Sequence, residues 1–153
     1  MIKKFEQYNK ELPEVIIDYH KNGQKQYEYW FLNDKVHRED GPASQTWYSN
    51  GQKHVEEWYL NGKKHSENVP AIQWWYENGK KHVEEWYLND KFHREDGPAI
   101  QWWWYSSVQK EFERWYLNGK EYSRDKWIDN LKKIGSPHYE EQEALYNAEK
   151  YNL

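Results

Sequence analysis

Aromatic and polar residues alternate along most of the chain, in short runs separated by turn residues. An alternation of period two is typical of β-strands whose two faces differ, and an Asn-Gly pair between two such runs favours a β-hairpin. Asn-Gly or Asn-Asp pairs recur at spacings that alternate between 11 and 17 residues, which gives a composite unit of 28 residues. The pairs begin at Asn22, Asn33, Asn50, Asn61, Asn78, Asn89 and Asn118, and a degenerate copy lies at Ser107. The pattern predicts an all-β protein of about four tandem repeats.

Other residue types keep the same register. Proline, histidine and tryptophan each recur at intervals of 28 residues, and one interval grows to 29 where the run 102–104 holds an additional tryptophan. The columns are Pro42, Pro70 and Pro98; His37, His65 and His93; and Trp30, Trp58, Trp86 and Trp115. So many columns in one register exclude a chance repeat.

Each unit is predicted to alternate strand and turn. A type I′ turn needs a positive φ at both central residues, which Asn and Gly adopt readily. Such a turn at Asn78-Gly79 places Trp75 opposite His82. The same turn at Asn89-Asp90 places Trp86 opposite His93 and Glu85 opposite Arg94. Alternation then puts Trp75, His82, Trp86 and His93 on one face and Trp74, Val83, Tyr87 and Phe92 on the other.

The proline-containing stretches between hairpins, 39–42 and 95–98, are predicted to interrupt the sheet, because proline cannot donate to a ladder of hydrogen bonds. They read as links from one hairpin to the next. The pattern leaves open whether the chain reverses at each link, giving three strands per unit, or only kinks, giving two.

Both ends depart from the repeat, as terminal units of repeat proteins do. We expect an N-terminal cap over 1–14, in which Ile2, Phe5 and Tyr8 leave a short helix open as one alternative, and repeats over 15–122. Residues 123–153 are predicted to form a C-terminal helical cap. Its first helix begins at Ser123 and ends at Gly135, and its second begins at Ser136-Pro137 and runs to about Lys150. An apolar stripe on the second helix either covers the last hairpin or contacts another copy of the chain; it comprises Tyr139, Ala144, Leu145, Tyr146 and Ala148.

The composition limits the possible functions. Charged residues make up 31% of the chain and the mean hydropathy is -1.38, but aromatic residues make up 19%, so large rings can replace an aliphatic core. A net charge of -4 disfavours a nucleic-acid partner, which needs a basic face. The chain contains no cysteine and no apolar run of membrane-helix length, so we expect an intracellular, cytoplasmic protein.

The residue pattern predicts neither an enzyme nor a metal site, and no cofactor. Histidines of one column lie too far apart to share a single ion, because equivalent strands of successive repeats are separated by at least two strand spacings of about 4.8 Å. Carboxylate pairs such as Glu56-Glu57 recur in successive units, which argues against one unique catalytic pair. They are better explained as partners of Lys and Arg.

Two sets of side chains are candidates for binding. Exposed indoles can stack on sugars, and lysines beside turns can contact anionic lipid. Their alternatives are a thin aromatic core and protection of sheet edges against aggregation. The candidate indoles are Trp74, Trp75, Trp86, Trp102, Trp103 and Trp104. The candidate lipid-contacting lysines are Lys53, Lys63, Lys64, Lys80 and Lys81.

The segment WYENGKKHVEEWYLNDKFHREDGPA and its copies resemble MORN-like repeats, in the divergent Asn-Gly-rich form of bacteria and of large DNA viruses of amoebae. The resemblance covers roughly residues 15–122, although the unit here is longer and has fewer glycines. It implies an elongated, curved antiparallel sheet of stacked hairpins, and a non-catalytic scaffold that binds a protein partner or a second copy of itself, in a virion or host cytoplasm. The alternative is a glycan- or phospholipid-binding surface, with peripheral membrane contact.

Overall fold

A computed structural model describes residues 12–106 and 109–152. The alternative of an N-terminal helix falls almost entirely outside these residues. The first half contains β1 (Glu14–Tyr19), β2 (Lys25–Leu32), β3 (Lys35–Val36), β4 (Ser44–Trp47), β5 (Lys53–Glu57), β6 (Tyr59–Leu60) and β7 (Lys63–Lys64). The second half contains β8 (Ile72–Trp75), β9 (Lys81–Glu85), β10 (Tyr87–Leu88), β11 (Lys91–Phe92), β12 (Ile100–Trp103), β13 (Lys110–Leu117) and β14 (Lys120–Tyr122). Two helices follow, α1 (Arg124–Ile134) and α2 (Tyr139–Tyr151).

The strands form one open antiparallel sheet in the order β1-β2-β4-β5-β8-β9-β12-β13-β14, so the predicted fold class is confirmed. Each central unit adds a long hairpin such as β4–β5 to this main sheet and a short hairpin such as β6–β7 beside it. The chain keeps its direction across each link, because β3 and β4 both run antiparallel to β2, so the link is a kink and not a reversal. A central unit has four strands, which is neither of the two numbers that the sequence left open, because each arm of the unit is divided into a main-sheet strand and a short-hairpin strand. Neighbouring short hairpins join through backbone hydrogen bonds, for example from Gly62 N–H to the Val36 carbonyl at 2.9 Å.

The two turns of a unit differ, which corrects one part of the turn prediction. Short hairpins have type I′ turns, with positive φ at both Asn61 and Gly62. Long hairpins have a three-residue loop in which Gly79 alone has a positive φ, so the type I′ prediction for Asn78-Gly79 is wrong. The reason is that the Asn78 Oδ1 accepts the N–H of Lys80 at 3.0 Å, which holds the Asn outside the left-handed region.

This loop shifts the register of the long hairpin by one residue. Trp75 lies opposite Lys81 and Trp74 lies opposite Val83, so His82 forms a bulge between these two pairs. The predicted pairing of Trp75 with His82 is therefore wrong. Trp86 pairs with His93 as predicted, through a backbone hydrogen bond of 3.0 Å. Glu85 faces Ile72 and Ile100 in the main sheet rather than Arg94, because the chain leaves the sheet at Trp86.

The main sheet therefore has two unlike faces. The aromatic face carries Trp74, Val83, Trp102 and Phe112, with His82 brought beside Trp74 by the bulge. The ladder face carries alternating Glu and Gln residues and the indoles of Trp47, Trp75 and Trp103. Short hairpins fold toward the aromatic face, where Ile72 packs against Tyr87 and Phe92.

The links between units lie against the tryptophan column. The guanidinium of Arg38 stacks on Trp30 at 4.1 Å, and its Nε donates to Asp40 at 2.8 Å. The link 93–98 repeats this arrangement, which we call the link clamp. A Cβ at Gly41 would lie 2.9 Å from the Arg38 guanidinium, so the glycine leaves room for the clamp.

The two helices cap the last hairpin, as predicted. Trp127 and Leu131 are fully buried against Leu117, and Tyr139 and Tyr146 pack on the same cluster. The Trp127 Nε1 donates to the Arg94 carbonyl at 3.1 Å, so the cap also holds the last link. The first helix has the predicted bounds and ends at Gly135, with φ 68. The second begins at Tyr139 rather than at Ser136-Pro137, because Ser136 Oγ accepts the His138 N–H in a turn before the helix.

Within the described residues, no helix is both long enough and apolar enough to cross a membrane.

Candidate functional site

The six candidate indoles lie in three different places. Trp74 and Trp102 share the aromatic face, whereas Trp75 and Trp103 lie on the ladder face under Lys53 and Lys81. Trp86 belongs to the link clamp and is covered by Arg94 at 4.0 Å. Trp104 lies at a long-hairpin loop and is 51% exposed. The predicted set is thus divided among two faces and a link.

A continuous strip of rings crosses the aromatic face near the long-hairpin loops. Tyr76 stacks on His82 at 4.1 Å, and the His82 ring lies between Trp74 and Trp102, 6.4 and 6.2 Å from them. Burial lowers the pKa of His82, which favours the neutral ring in this stack. Trp74 is nevertheless 42% exposed. This strip is the part of the aromatic face that can stack on a planar ligand.

The ladder face carries a row of carboxylates and amides that the sequence analysis missed. Opposite one another across seven strands lie Glu28, Gln45, Glu56, Gln73, Glu84, Gln101 and Glu113. We call this row the Glu–Gln ladder. Amide groups donate along it, as from Gln73 to Glu84 at 3.0 Å, and Lys81 donates to the same carboxylate. The 28-residue column of Gln45, Gln73 and Gln101 was the sequence signal for it.

The ladder is a saturated structural network rather than a reactive centre. Glu28, Glu56 and Glu84 are buried, and each pairs with a lysine three residues before it in the chain. Burial alone would raise the pKa of Glu28, but hydrogen bonds from Lys25 and Trp30 hold it below its usual value. The Glu28 carboxylate therefore stays ionised and fully bonded.

The candidate lipid-contacting lysines do not form one surface. Lys53 and Lys81 are bound to the Glu–Gln ladder, and Lys80 lies beside a long-hairpin loop. Lys63 and Lys64 belong to a short hairpin at the opposite end of the unit. Lys64 lies over the Tyr87 ring at 5.1 Å.

Two histidines of the column His37, His65 and His93 form hydrogen bonds between repeats. His37 Nδ1 accepts the N–H of Asn61 at 2.9 Å, and His93 Nδ1 accepts that of Asn118 at 3.1 Å. Each imidazole thus ties one link to the next short hairpin. Within residues 12–106 and 109–152, His, Asp and Glu side chains form no group of three or more that fits a metal ion.

Tyrosine–carboxylate pairs occupy the corner between the main sheet and the short hairpins. Tyr87 donates to Glu85 at 3.0 Å, and Tyr59 lies 3.5 Å from Glu57. Burial, followed by the neighbouring carboxylate, raises the pKa of Tyr59 to about 12 and raises that of Tyr87 as well. Both phenols therefore remain neutral donors at physiological pH, and each links a short hairpin to a carboxylate of the main sheet.

Within the part of the chain that the structure describes, the first strand presents an apolar edge that no other element covers. Ile16 and Ile17 in β1 are 43% and 42% exposed although they point to opposite faces, and β1 pairs only with β2 among the described strands. Ile17 occupies the ladder position that Gln45 fills one repeat later. At the far end, α1 packs against β13 and β14, and α2 packs on the same cluster, although Lys120 and Glu121 of β14 stay exposed.

Comparisons of the chain with protein-family models, with curated proteins and with solved structures found no match.

Proposed function

We propose that this chain is a non-catalytic protein-interaction or scaffolding module, and that strand β1 is where a partner protein adds a strand. The resemblance to MORN-like repeats implies an antiparallel sheet of stacked hairpins that acts as a scaffold. The open antiparallel sheet that carries β1 agrees with that expectation and supports the proposal. A cysteine-free chain suits the reducing cytoplasm, where we expect the partner to be found.

The exposed edge of β1 is the observation that carries the proposal. Natural sheets protect their edges with short strands, charges, bulges or covering elements, because an unpaired edge recruits other strands. β1 is six residues long and contains Val15, Ile16 and Ile17 in succession. Its charged residues, Glu14 and Asp18, and its bulge at Asp18/Tyr19 lie toward the two ends of the strand, so the centre of the edge has none of these protections. A terminal repeat that faced water would need a polar outer side, and Ile17 replaces the polar residue of the Glu–Gln ladder at this position. An apolar edge of this kind matches recognition by strand addition.

The test is affinity enrichment from the native cell with three forms of the protein. Ile17→Lys places a charge at the centre of the edge strand, and Leu145→Lys is the matched control on a similarly exposed apolar residue of α2. We expect a near-stoichiometric partner with the wild-type protein and Leu145→Lys, and its loss with Ile17→Lys. Recovery of the same partner by all three forms would contradict docking at β1.

Light scattering of the same three proteins separates two kinds of occupant. A wild-type dimer that Ile17→Lys converts to a monomer would identify the partner as a second copy of the chain. A deletion of residues 1–11 tests whether the edge is covered by the chain itself. Deletion that lowers the melting temperature as far as Ile17→Lys lowers it, with no partner recovered, would refute the proposal.

A second candidate function is glycan binding by the aromatic strip, which the exposure of Trp74 favours. Aromatic faces stack on the apolar faces of sugars, and Trp74 and Tyr105 are half exposed along the strip. Trp74→Ala should abolish a fluorescence response to oligosaccharides that Trp75→Ala, on the opposite face, retains. Vesicles that contain phosphoinositides test the lipid alternative in the same titration. Flat titrations with both ligand classes would eliminate this candidate.

A further inference from the structure

Three links follow the column of Trp30, Trp58 and Trp86, and two of them place an arginine on the preceding indole. Arg38 lies 4.1 Å from the centre of Trp30, and Arg94 lies 4.0 Å from that of Trp86. Each guanidinium also donates to a carboxylate two residues on, at 2.8 and 2.7 Å. At the end of the array, Arg124 from α1 lies over Trp115 at 5.8 Å. Among the described residues, no lysine or arginine lies over Trp58.

The middle link has lost the link clamp as a set. Where the flanking links read Arg-Glu-Asp-Gly, it reads Ser66-Glu67-Asn68-Val69. The aspartate partners the arginine, and the glycine leaves space for it, since a Cβ at Gly97 would lie 3.1 Å from the Arg94 guanidinium. Once the arginine is absent, neither neighbour is needed. The three replacements are therefore one coupled change that removes a cation from Trp58.

A cleft of about 450 Å³ lies beside Trp58. A cleft of about 540 Å³ also lies beside Trp86, where the clamp is present, so the middle link differs from that link by its uncovered indole and not by the cleft itself. The volume beside Trp58 falls within the range of roughly 300–1,000 Å³ in which proteins bind small ligands or single side chains. Leu60 and Val69 give the cleft an apolar wall next to the indole. Glu39 and Glu67 also line it, with side chains 82% and 75% exposed, so two carboxylates lie at its mouth, and Arg38 of the preceding link lines it as well. An indole, an apolar wall and carboxylates suit an organic cation.

The middle link is also less completely bonded than its neighbours. His65 Nδ1 is buried without a hydrogen-bond partner among the described residues, whereas the equivalent atoms of His37 and His93 accept backbone N–H groups. A segment with fewer bonds opens locally at lower cost. The link can therefore adjust around an incoming group, which matters because Val69 lines the cleft at the position where the flanking links have glycine.

We propose that the cleft over Trp58 binds an arginine side chain of a partner protein, whose guanidinium stacks on this indole. Arginine fits better than lysine because its planar head stacks on a ring. Within this chain, the two link arginines lie 4.0 and 4.1 Å from their indoles, whereas lysines lie 4.9 to 5.7 Å and Arg124 of α1 lies 5.8 Å from theirs. The inference rests on the proposed protein-binding function and specifies one side chain that the partner presents.

The test is an NMR titration of the ¹⁵N-labelled protein with N-acetyl-arginine amide, and with the citrulline and lysine counterparts. The readout is the indole N–H signal of Trp58, assigned by its loss in Trp58→Phe. The closed variant S66R/N68D/V69G copies the flanking links, so it should fold with an unchanged or higher melting temperature. The covered indoles of Trp30 and Trp86 serve as controls in the same spectra.

We expect the arginine compound to shift the Trp58 signal with at least five-fold higher affinity than either counterpart. The closed variant should lose the response, because its own arginine then covers the indole. Equal affinity for citrulline, or a response that persists in the closed variant, would overturn the inference. These outcomes are independent of the Ile17→Lys enrichment, because Ile17 lies in another repeat. Failure here leaves docking at β1 standing, and failure there leaves the cleft standing.

Discussion

At the scale of single residues, the buried carboxylates of the Glu–Gln ladder carry a large share of the sheet's specificity. Glu84 is 8% exposed, and it accepts hydrogen bonds from Gln73 and Lys81. A buried donor that loses its acceptor retains the full cost of its desolvation, about 1–3 kcal/mol. The ladder therefore penalises any slip in strand register, because a one-residue slip would place each carboxylate on the aromatic face.

Replacing Glu84 by glutamine tests this role. Glu84→Gln keeps the shape of the side chain but removes the charge that Lys81 pairs with, so we expect a loss of about 1–2 kcal/mol in the free energy of unfolding. Urea denaturation measures it. Glu77→Gln, at an exposed loop residue, is the control and should change stability by less than about 0.5 kcal/mol. Equal effects of the two substitutions would show that the ladder does not stabilise the sheet.

The first carboxylate of the ladder predicts how stability depends on pH. Glu28 has a folded-state pKa below its ordinary value of 4.5, so the unfolded chain takes up a proton more readily than the folded one. Its contribution is present above pH 4.5 and is lost as the pH falls through the folded pKa. We expect Glu28→Gln to flatten the decline in unfolding free energy below pH 4.5. Parallel curves for the two proteins in urea titrations would contradict this assignment.

At the scale of elements, the type I′ turns of the short hairpins accept either Asn-Gly or Asn-Asp as their two central residues. Asp34 and Asp90 occupy the second central position of a type I′ turn with φ values of 58 and 64, where Gly62 and Gly119 stand in the other units. Left-handed backbone costs roughly 1–2 kcal/mol for most residues and little for glycine. The repeats therefore allow aspartate and glycine to be compared at the same turn position within one protein.

Substitutions at Asp34 use that comparison. Asp34→Gly should leave the melting temperature unchanged or raise it, because glycine adopts this φ without strain. Asp34→Val should lower the free energy of unfolding by about 1–2 kcal/mol, since a β-branched side chain is strained there. Thermal unfolding followed by circular dichroism measures both variants. A destabilised Asp34→Gly would show that the Asp34 side chain, and not the turn geometry, stabilises this hairpin.

The repeat, the hairpins and the terminal helices were predictable because their signals are local and recur. Positions of Asn, Pro and Trp fixed where strands end, and Gly135 marked the end of α1. The register of the long hairpins was not predictable from the Asn-Gly pair, because the Asn78 side chain bonds to its own backbone and converts a two-residue turn into a three-residue loop. That one residue then placed His82 beside Trp74 rather than opposite Trp75.

The candidate sites were less predictable than the fold for a related reason. Whether an indole is covered depends on contacts between links and strands that are distant in sequence, such as Arg94 on Trp86. The substitution of Ser66 in the middle link and of Ile17 at the edge was visible in the sequence. The consequence of each substitution could be inferred only from the contacts that the equivalent residues, Arg38 and Gln45, make in the neighbouring repeats.

At the scale of the whole molecule, the two ends of the sheet are unlike. Residues Leu117, Trp127 and Leu131 form a buried cluster at one end, so α1 and α2 close the array. The other end exposes the apolar strand β1 on both of its faces. Within the described residues only the β14 end has a helical cap, so further strands can be added at β1, and we expect the partner there.

The most direct test of that assignment is amide hydrogen exchange of the protein alone and bound to the partner that enrichment recovers. Alone, the β1 amides that do not pair with β2 should exchange within seconds, as unprotected amides at an open edge do. In the complex we expect these amides to slow by at least a hundred-fold, while exchange in β14 and α1 stays unchanged. Protection that arises elsewhere and leaves β1 as open as before would contradict the central claim that this strand is the docking edge.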